Sequence, residues 1–296
     1  LHLISIFVAV ADTGGFARAA RKAGVSPSVV TRAVNELETS LGVRLLIRTT
    51  RVVRLTDVGI RYAEDCRKIL ASLAEADDTA VGTHGEPRGH ITLTSPAWFG
   101  SLYMTPIVTE YLTRFEGMKA TCLFTDRLVN LIEEGVDVGL RIGELEDSSM
   151  QAIRVGSMRV VVCGSPEYLR EHGTPFLPDD LVGHSTVSAS PITPGQDWRF
   201  GLNGKPSTMR MHPRLSTTTN ESAVASAIAG FGLTQQMFYK VSEPIADGRL
   251  QIILADHEPA PLPVNLLHRE GRNPSRRVRA FLDLAIDTLR RNPVLH

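Results

Sequence analysis

The chain has 296 residues, 43% of them apolar and 22% charged, with 32 basic side chains balanced by 32 acidic ones. Those figures describe an ordinary soluble globular protein of two or three domains. No run of eighteen apolar residues occurs, which excludes a membrane-spanning helix. The three cysteines, Cys66, Cys122 and Cys163, form no C-x-x-C pair and no Cys/His cluster. A disulfide framework is thereby excluded, and plain apolar cysteines in a reducing cytoplasm are expected, with a Cys122–Cys163 redox pair as the lesser alternative.

The N-terminal stretch LHLISIFVAVADTG is amphipathic and carries neither a basic leader nor an A-x-A cleavage site. It reads as a first helix packing through Leu3, Ile6, Phe7 and Val10. The next stretch, Phe16 to Asn35, is FARAARKAGVSPSVVTRAVN, and it reads as a helix-turn-helix. Ala19 and Ala20 sit where two helices cross and only small side chains fit. Gly24 stands where the chain must turn with positive φ. Ser26 is placed as an N-cap and Pro27 as the first residue of a second helix, where no backbone N–H is needed. On that helix Val30, Ala33, Val34, Leu37 and Leu41 recur at helical spacing and point inward. Ser28, Thr31, Arg32 and Asn35 share the opposite face with Pro27, a set suited to base edges and phosphates in a major groove. The plainer reading is an αα-hairpin whose polar face meets only water.

The following segment narrows that choice. Leu45–Ile47 and Val52–Leu55 are short apolar runs on either side of Arg48–Arg51, the pattern of a β-hairpin wing. Arg44, Arg48, Arg51 and Arg54 make it basic. Residues 1–55 hold eight bases and three acids, a net of +5, so the remainder carries −5. A basic head on an acidic body is the charge pattern of a two-part DNA-binding regulator. Here FVAVADTGGFARAARKAGVSPSVVTRAVNELETSLGVRLLIRTTRVVRLTDVG, with VDVGLRIG further on, resembles the LysR-type transcriptional regulators essentially end to end. The resemblance implies a winged helix-turn-helix that binds double-stranded promoter DNA, over residues 1–56. Arg18, Ser26, Pro27, Ser28, Thr31, Arg32 and Asn35 would meet the DNA, joined by Arg48 and Arg51 of the wing. It implies a homodimer or homotetramer, with RNA polymerase as a further partner.

Thr56 can cap a long helix from about Asp57 to Val81. Ile60, Ala63, Cys66 or Arg67, Leu70, Leu73 and Ala76 or Asp77 give it an apolar stripe near a 3.5-residue period. At about 1.5 Å per residue it spans on the order of 35 Å. Residues 57–82 are therefore expected to form a linker that dimerises along this stripe, the alternative being that the helix folds back on its own head. GTHGEPRGH (82–90) ends it with three Gly and one Pro.

From residue 88 strands and helices alternate, the order of an α/β domain with a parallel sheet. Strands are expected at 91–96, 120–125 and 137–142, with helices at 103–115 and 128–134 between them. A second unit starts near Arg159. It holds a strand RVVVCGS, helices near 167–172, 178–182, 221–229 and 239–247, and strands near 186–189, 198–202, 207–213 and 233–237. PLPVNLLH (261–268) and a helix from Pro274 to Arg290 close the chain. The expected fold is a two-lobed α/β effector domain like a periplasmic binding protein. Lobe one takes 88–158 with 266–296, and lobe two takes 159–265.

Ligands in such folds bind at strand carboxyl ends facing helix N-termini. The candidates are Ser95, Ala97, Trp98 and Phe99 after the first strand, where free N–H groups make a ready anion site. Arg127 follows the second strand, and Ile142 and Gly143 end the third. Asn220 opens a helix and Gln235 ends a strand in the second lobe. Ser95, Thr219 and Asn220 could equally be caps, and Arg141 a structural ion-pair partner. The family resemblance implies a small metabolite here, often a carboxylate or an aromatic. GFGLTQQMFYKV departs from the family's commoner GLGIALLP, and its FYKV resembles a subgroup with SYQV.

An enzyme or an export receptor on the same fold would need other features. G-x-S-x-G, S-x-x-K, H-E-x-x-H, P-loop and G-x-G-x-x-G motifs are absent, and the nine histidines lack metal spacing. The adjacent pairs Glu133–Glu134 and Asp179–Asp180 cannot face each other on a helix and read as solvated. No catalytic residue, metal or cofactor is expected. An architectural DNA protein would leave the acidic body without a role.

Overall fold

The computed structural model describes residues 1–48, 53–81, 86–127, 129–145, 150–189, 197–202, 205–271 and 274–296. They form two compact units, Leu1–Glu86 and Pro87–His296.

The first unit opens with α1 (His2–Thr13), α2 (Phe16–Ala23) and α3 (Pro27–Leu41). A hairpin, β1 (Leu46–Arg48) and β2 (Val53–Leu55), and the long α4 (Asp57–Val81) complete it. Its core gathers Ile6, Phe7 and Val10 from α1, Ala19 and Ala20 from α2, and Val30, Ala33, Val34 and Leu37 from α3. Burying a side chain such as Phe7 stabilises by roughly 1.5–3 kcal/mol. The α4 start is fixed twice. Thr56 Oγ1 accepts the Gly59 N–H at 2.9 Å, an N-cap. A Cβ on Gly59 would lie 2.1 Å from the Leu45 carbonyl oxygen, so only glycine lets α4 approach the hairpin this closely.

The stripe expected to pair two linker helices divides. Ala63 and Cys66 are fully covered by the core of their own head, and Leu70 and Tyr62 pack against it. Ile60, Ile69 and Leu73 are 46%, 49% and 37% exposed. The first turns of α4 thus complete a three-helix core that α1–α3 alone leave open, and among the described residues Val58, Ile60, Ile69 and Leu73 keep apolar surface exposed.

The second unit has two sheets. Lobe one is built on β3 (Gly89–Ser95), β4 (Met118–Phe124), β5 (Val138–Ile142), β6 (Gln151–Met158) and the returning strand β14 (Leu262–His268). Between β3 and β4 run α5 (Ala97–Phe99), a π turn (Gly100–Met104) and α6 (Thr105–Arg114) as one continuous helical segment. The strand order is β4-β3-β5-β14-β6, with β3 parallel to β4 and β5, and β14 antiparallel to β5 and β6. The closing helix α10 (Arg276–Arg290) packs Phe281 edge-on against Tyr111 of α6, ring centroids 5.4 Å apart.

Lobe two holds β7 (Val160–Gly164), α7 (Pro166–His172), β8 (Thr186–Ser188), the hairpin β9 (Asp197–Leu202) and β10 (Lys205–Arg210), and β11 (Leu215–Ser216). It continues with α8 (Asn220–Ile228), β12 (Leu233–Met237), α9 (Ser242–Ala246) and β13 (Gln251–Ile253). Its sheet order is β11-β8-β12-β7-β13. The chain crosses between lobes at Arg159 and again before Leu262. A bidentate ion pair of 2.7 and 2.9 Å between Arg159 and Glu258 ties the two crossings together.

Several expected elements differ. No helix spans 129–134, and Leu128 lies outside the described residues. Asn130 Oδ1 accepts the backbone N–H groups of Ile132 and Glu133, and Gly135 turns left-handed at φ 63°, so the chain makes one tight turn. The expected 178–182 helix is a 3-10 turn over Pro178–Gly183. Asp180 there is no solvated bystander, for its carboxylate accepts the N–H groups of Phe176 and Leu177. Glu134 likewise is paired, with Arg127. Lobe one takes back the chain at Leu262 instead of residue 266, because β14 pairs from Leu262 onward with β6. Cys122 and Cys163 stand in different sheets as free thiols. Burial raises the Cys122 thiol and pushes that of Cys163 up to about 12, which leaves little reactive thiolate.

Candidate DNA interface and effector cleft

In the head, Gly24 turns the chain at φ 67° and Val25 donates back to the Ala20 carbonyl, locking α2 against the start of α3. Ser26 occupies the N-cap position in an extended conformation. Its hydroxyl does not cap: it meets the Ser28 hydroxyl at 2.8 Å, so the capping role expected of its side chain is not filled. Ser26, Pro27, Ser28, Arg32 and Asn35 are all exposed, while Val30, Ala33 and Val34 behind them are buried. Arg32 has no ion pair or hydrogen bond among the described residues. Thr31 is half-buried and its hydroxyl donates to the Pro27 carbonyl at 3.0 Å. Arg18 is exposed and donates to the Gly14 carbonyl at 3.2 Å, at the left-handed end of α1.

Asp12 and Glu38 of the head are engaged internally. Asp12 pairs with Arg67 at 2.7 Å and with Lys22 at 3.4 Å, joining α1, α2 and α4. Glu38 Oε1 accepts the Leu45 and Leu46 N–H groups at 2.8 and 3.0 Å, fixing the hairpin to the end of α3. In the hairpin Ile47 pairs with Arg54 on the outer face, and Arg48 closes β1. Arg51 lies outside the described residues.

In the second unit a cavity of about 550 Å³ opens between the lobes. Four expected residues meet there: Ile142, Gly143, Asn220 and Gln235. Gly143 holds φ at 126°, a conformation closed to most side chains, and so lets the chain turn at the cleft. The Gln235 amide is committed to β9. It accepts the Arg199 N–H at 3.1 Å and donates to the Arg199 carbonyl at 2.8 Å, so it positions the hairpin.

The candidates after β3 are placed otherwise. Ser95 is fully buried and its hydroxyl donates to the Pro96 carbonyl. Phe99 is fully buried in the lobe-one core against Tyr103 and Tyr239, because the helix starts six residues earlier than its pattern suggests. The expected anion site at Ala97 is filled from within, since Asp126 Oδ1 accepts the Ala97 N–H at 2.9 Å. Trp98 is half-buried and packs against the cores of both lobes. Arg127 is ion-paired to Glu134 and is not part of the cleft wall. Arg141 donates to the Val129 carbonyl at 2.7 Å, a structural role.

Sequence reasoning missed Glu144, Asp197, Arg199 and Lys240, which line the same cleft. Lys240 is half-buried, its Nζ 5.6 Å from the Tyr239 ring centroid. Burial pulls its ammonium down to about 8, against the opposing pull of Asp126 and Glu221. The signal was FYKV itself, whose Lys stands where the SYQV subgroup has Gln.

A helix-turn-helix head together with a two-lobed α/β unit defines the class of transcriptional regulators that carry a substrate-binding domain. Residues 1–60 match the bacterial regulatory helix-turn-helix proteins of the lysR family, and residues 84–290 match the LysR substrate binding domain. The chain belongs to the LysR family of transcriptional regulators. It is 30% identical over 290 residues to the HTH-type transcriptional regulator CrgA of Neisseria meningitidis serogroup C, covering 98% of this chain and 97% of that protein. It is also 30% identical over 272 residues to the transcriptional activator AaeR of Escherichia coli, covering 91% and 87%. The solved structure of Neisseria meningitidis CrgA superposes with TM-score 0.62 at 29% identity over 98% of both chains. That of the Vibrio cholerae virulence activator AphB does so at 0.62 and 23%, over 97% and 98%, which supports the fold.

Proposed function

We propose that this regulator is a cytoplasmic homo-oligomer that binds promoter DNA through the exposed face of α3 and the wing, and a small metabolite in the cleft of its second unit. The observation that carries the reading is the division of α3. Its buried face holds the head together, while Ser26, Pro27, Ser28, Arg32 and Asn35 stand exposed with little structural work of their own. Exposed Arg and Asn on one helix offer the bidentate donors and acceptors that read guanine and adenine edges in the major groove. Arg18, Thr31, Arg48 and Arg51 complete the contact set, the cations serving phosphates.

In the cleft the set narrows to Ile142, Gly143, Asn220 and Gln235. Both lobes supply walls, so a ligand there would favour one lobe arrangement over another by its differential contacts. The reading is tested by capturing genomic fragments on the purified chain and repeating the binding with candidate metabolites drawn from the neighbouring genes. Specific fragments whose affinity shifts with one metabolite are expected. Capture of random DNA with no preference would end the proposal.

A further inference from the structure

Resting on the reading of the cleft as the effector site, we infer that the effector is a small organic monoanion with an apolar body, and that Lys240 holds its charged group. Glu144, Asp197 and Arg199 line the cleft at exposed positions, and several other polar groups in or beside it are engaged within the fold. Gln235 is bound to the β9 backbone, Gln236 donates to the Thr234 hydroxyl, and Asp126 holds the Ala97 N–H. Lys240 differs. Among the described residues no carboxylate lies within ion-pair distance of it, and no hydrogen bond engages its three donors. An ammonium half removed from water and left unpaired gains from an anion more than an exposed one does. Asn220, whose side-chain amide likewise has no bond among the described residues, lines the same cavity and can donate beside it. Val160, Met237 and Leu262 supply apolar wall for the rest of the ligand.

The other charges set the number. Asp126 and Glu221 act on Lys240 from lobe one and from α8, and Glu144, Asp197 and Arg199 line the cavity. Four acids against two cations tolerate one ligand charge at Lys240 and oppose a second. A Gln at position 240, as in SYQV, would accept a neutral head group as readily as a charged one, and Lys removes that tolerance.

The test uses the full chain with its five lysines carrying 13C-methyl labels, which keep their charge, and Lys240→Gln to identify the Lys240 signal. Benzoate, benzamide and phthalate serve as monoanion, neutral and dianion probes. Benzoate should move the Lys240 signal saturably and raise its titration midpoint, while the other lysines follow ionic strength alone. Benzamide and phthalate should do neither, and calorimetry should show benzoate binding weakened about tenfold in Lys240→Gln. A Lys240 signal that responds to benzoate no more than the other lysines do, or equally to benzamide, overturns the inference. Operator affinity is measured in the same samples. If Lys240 responds and DNA affinity stays constant, the anion site stands and the effector role of the cleft falls.

Discussion

Removing the Arg277 guanidinium should destabilise the second unit strongly and in a pH-dependent way. Asp137 and Arg277 are only 4% and 7% exposed. They share two hydrogen bonds of 3.0 and 3.2 Å that join the start of β5, the strand ending at Ile142, to α10. In Arg277→Met the apolar stem survives, and the Asp137 carboxylate keeps the Thr92 N–H at 2.7 Å and Arg269 at 3.5 Å, the latter 38% exposed. Breaking a buried pair from one side costs about 3–5 kcal/mol, since a buried charge is left poorly compensated. For a unit of this size each kcal/mol moves the melting temperature by roughly 2–4 °C, so a drop of roughly 6–20 °C is expected by calorimetry at pH 8. Burial pushes the Asp137 carboxyl up to about 6, above its ordinary value near ~3.9. A carboxyl raised on folding favours the folded state below its unfolded pKa and loses that contribution as pH rises through the folded one. The deficit of Arg277→Met should therefore shrink between pH 8 and pH 5, as Asp137 takes up a proton and ceases to need a partner. A loss under about 1 kcal/mol, or one equal at both pH values, would refute the reasoning.

The split stripe of α4 separates two substitutions. Leu70→Asp should lower the melting temperature of the head because Leu70 packs on its core, whereas Leu73→Asp, at an exposed position, should leave the melt in place and weaken self-association in sedimentation. Identical behaviour of the two would remove α4 from the oligomer interface. Arg51 lies between the two hairpin strands in sequence, and its replacement by Ala should lower the slope of log K against log salt by about one per subunit if it meets a phosphate. An unchanged slope would leave the wing without a DNA contact at that residue.

What the sequence disclosed was governed by range. The head was legible because its determinants are local: Gly24 turns two helices, Pro27 starts the second, and the period of Val30, Val34 and Leu37 fixes the buried face. β6 was invisible because its partner β14 is more than a hundred residues away, and QAIRVGSM carries no alternation of its own. The false helix at 128–134 had the right period, but Asn130 competes for the backbone N–H groups that a helix would use. Phe99 reads as a residue between strand and helix because the helical pattern is read only from residue 103, beyond Gly100. Gly100 is a packing residue, where a Cβ would fall 2.4 Å from the Phe124 ring. Lys240 was missed because only the crossing of two distant chain segments brings it to Gly143 and Asn220.

The claim that α3 reads DNA is tested most directly by Arg32→Ala, because Arg32 is exposed and has no intramolecular partner among the described residues. Its affinity should be measured by fluorescence anisotropy on a captured genomic fragment and on a scrambled duplex at one salt concentration. If Arg32 contacts a base edge, specific binding should weaken by about 1–3 kcal/mol per contact while binding to the scrambled duplex changes far less. Equal losses on both duplexes would make Arg32 a phosphate contact, and no loss on either would contradict the assignment of α3 as the reading helix.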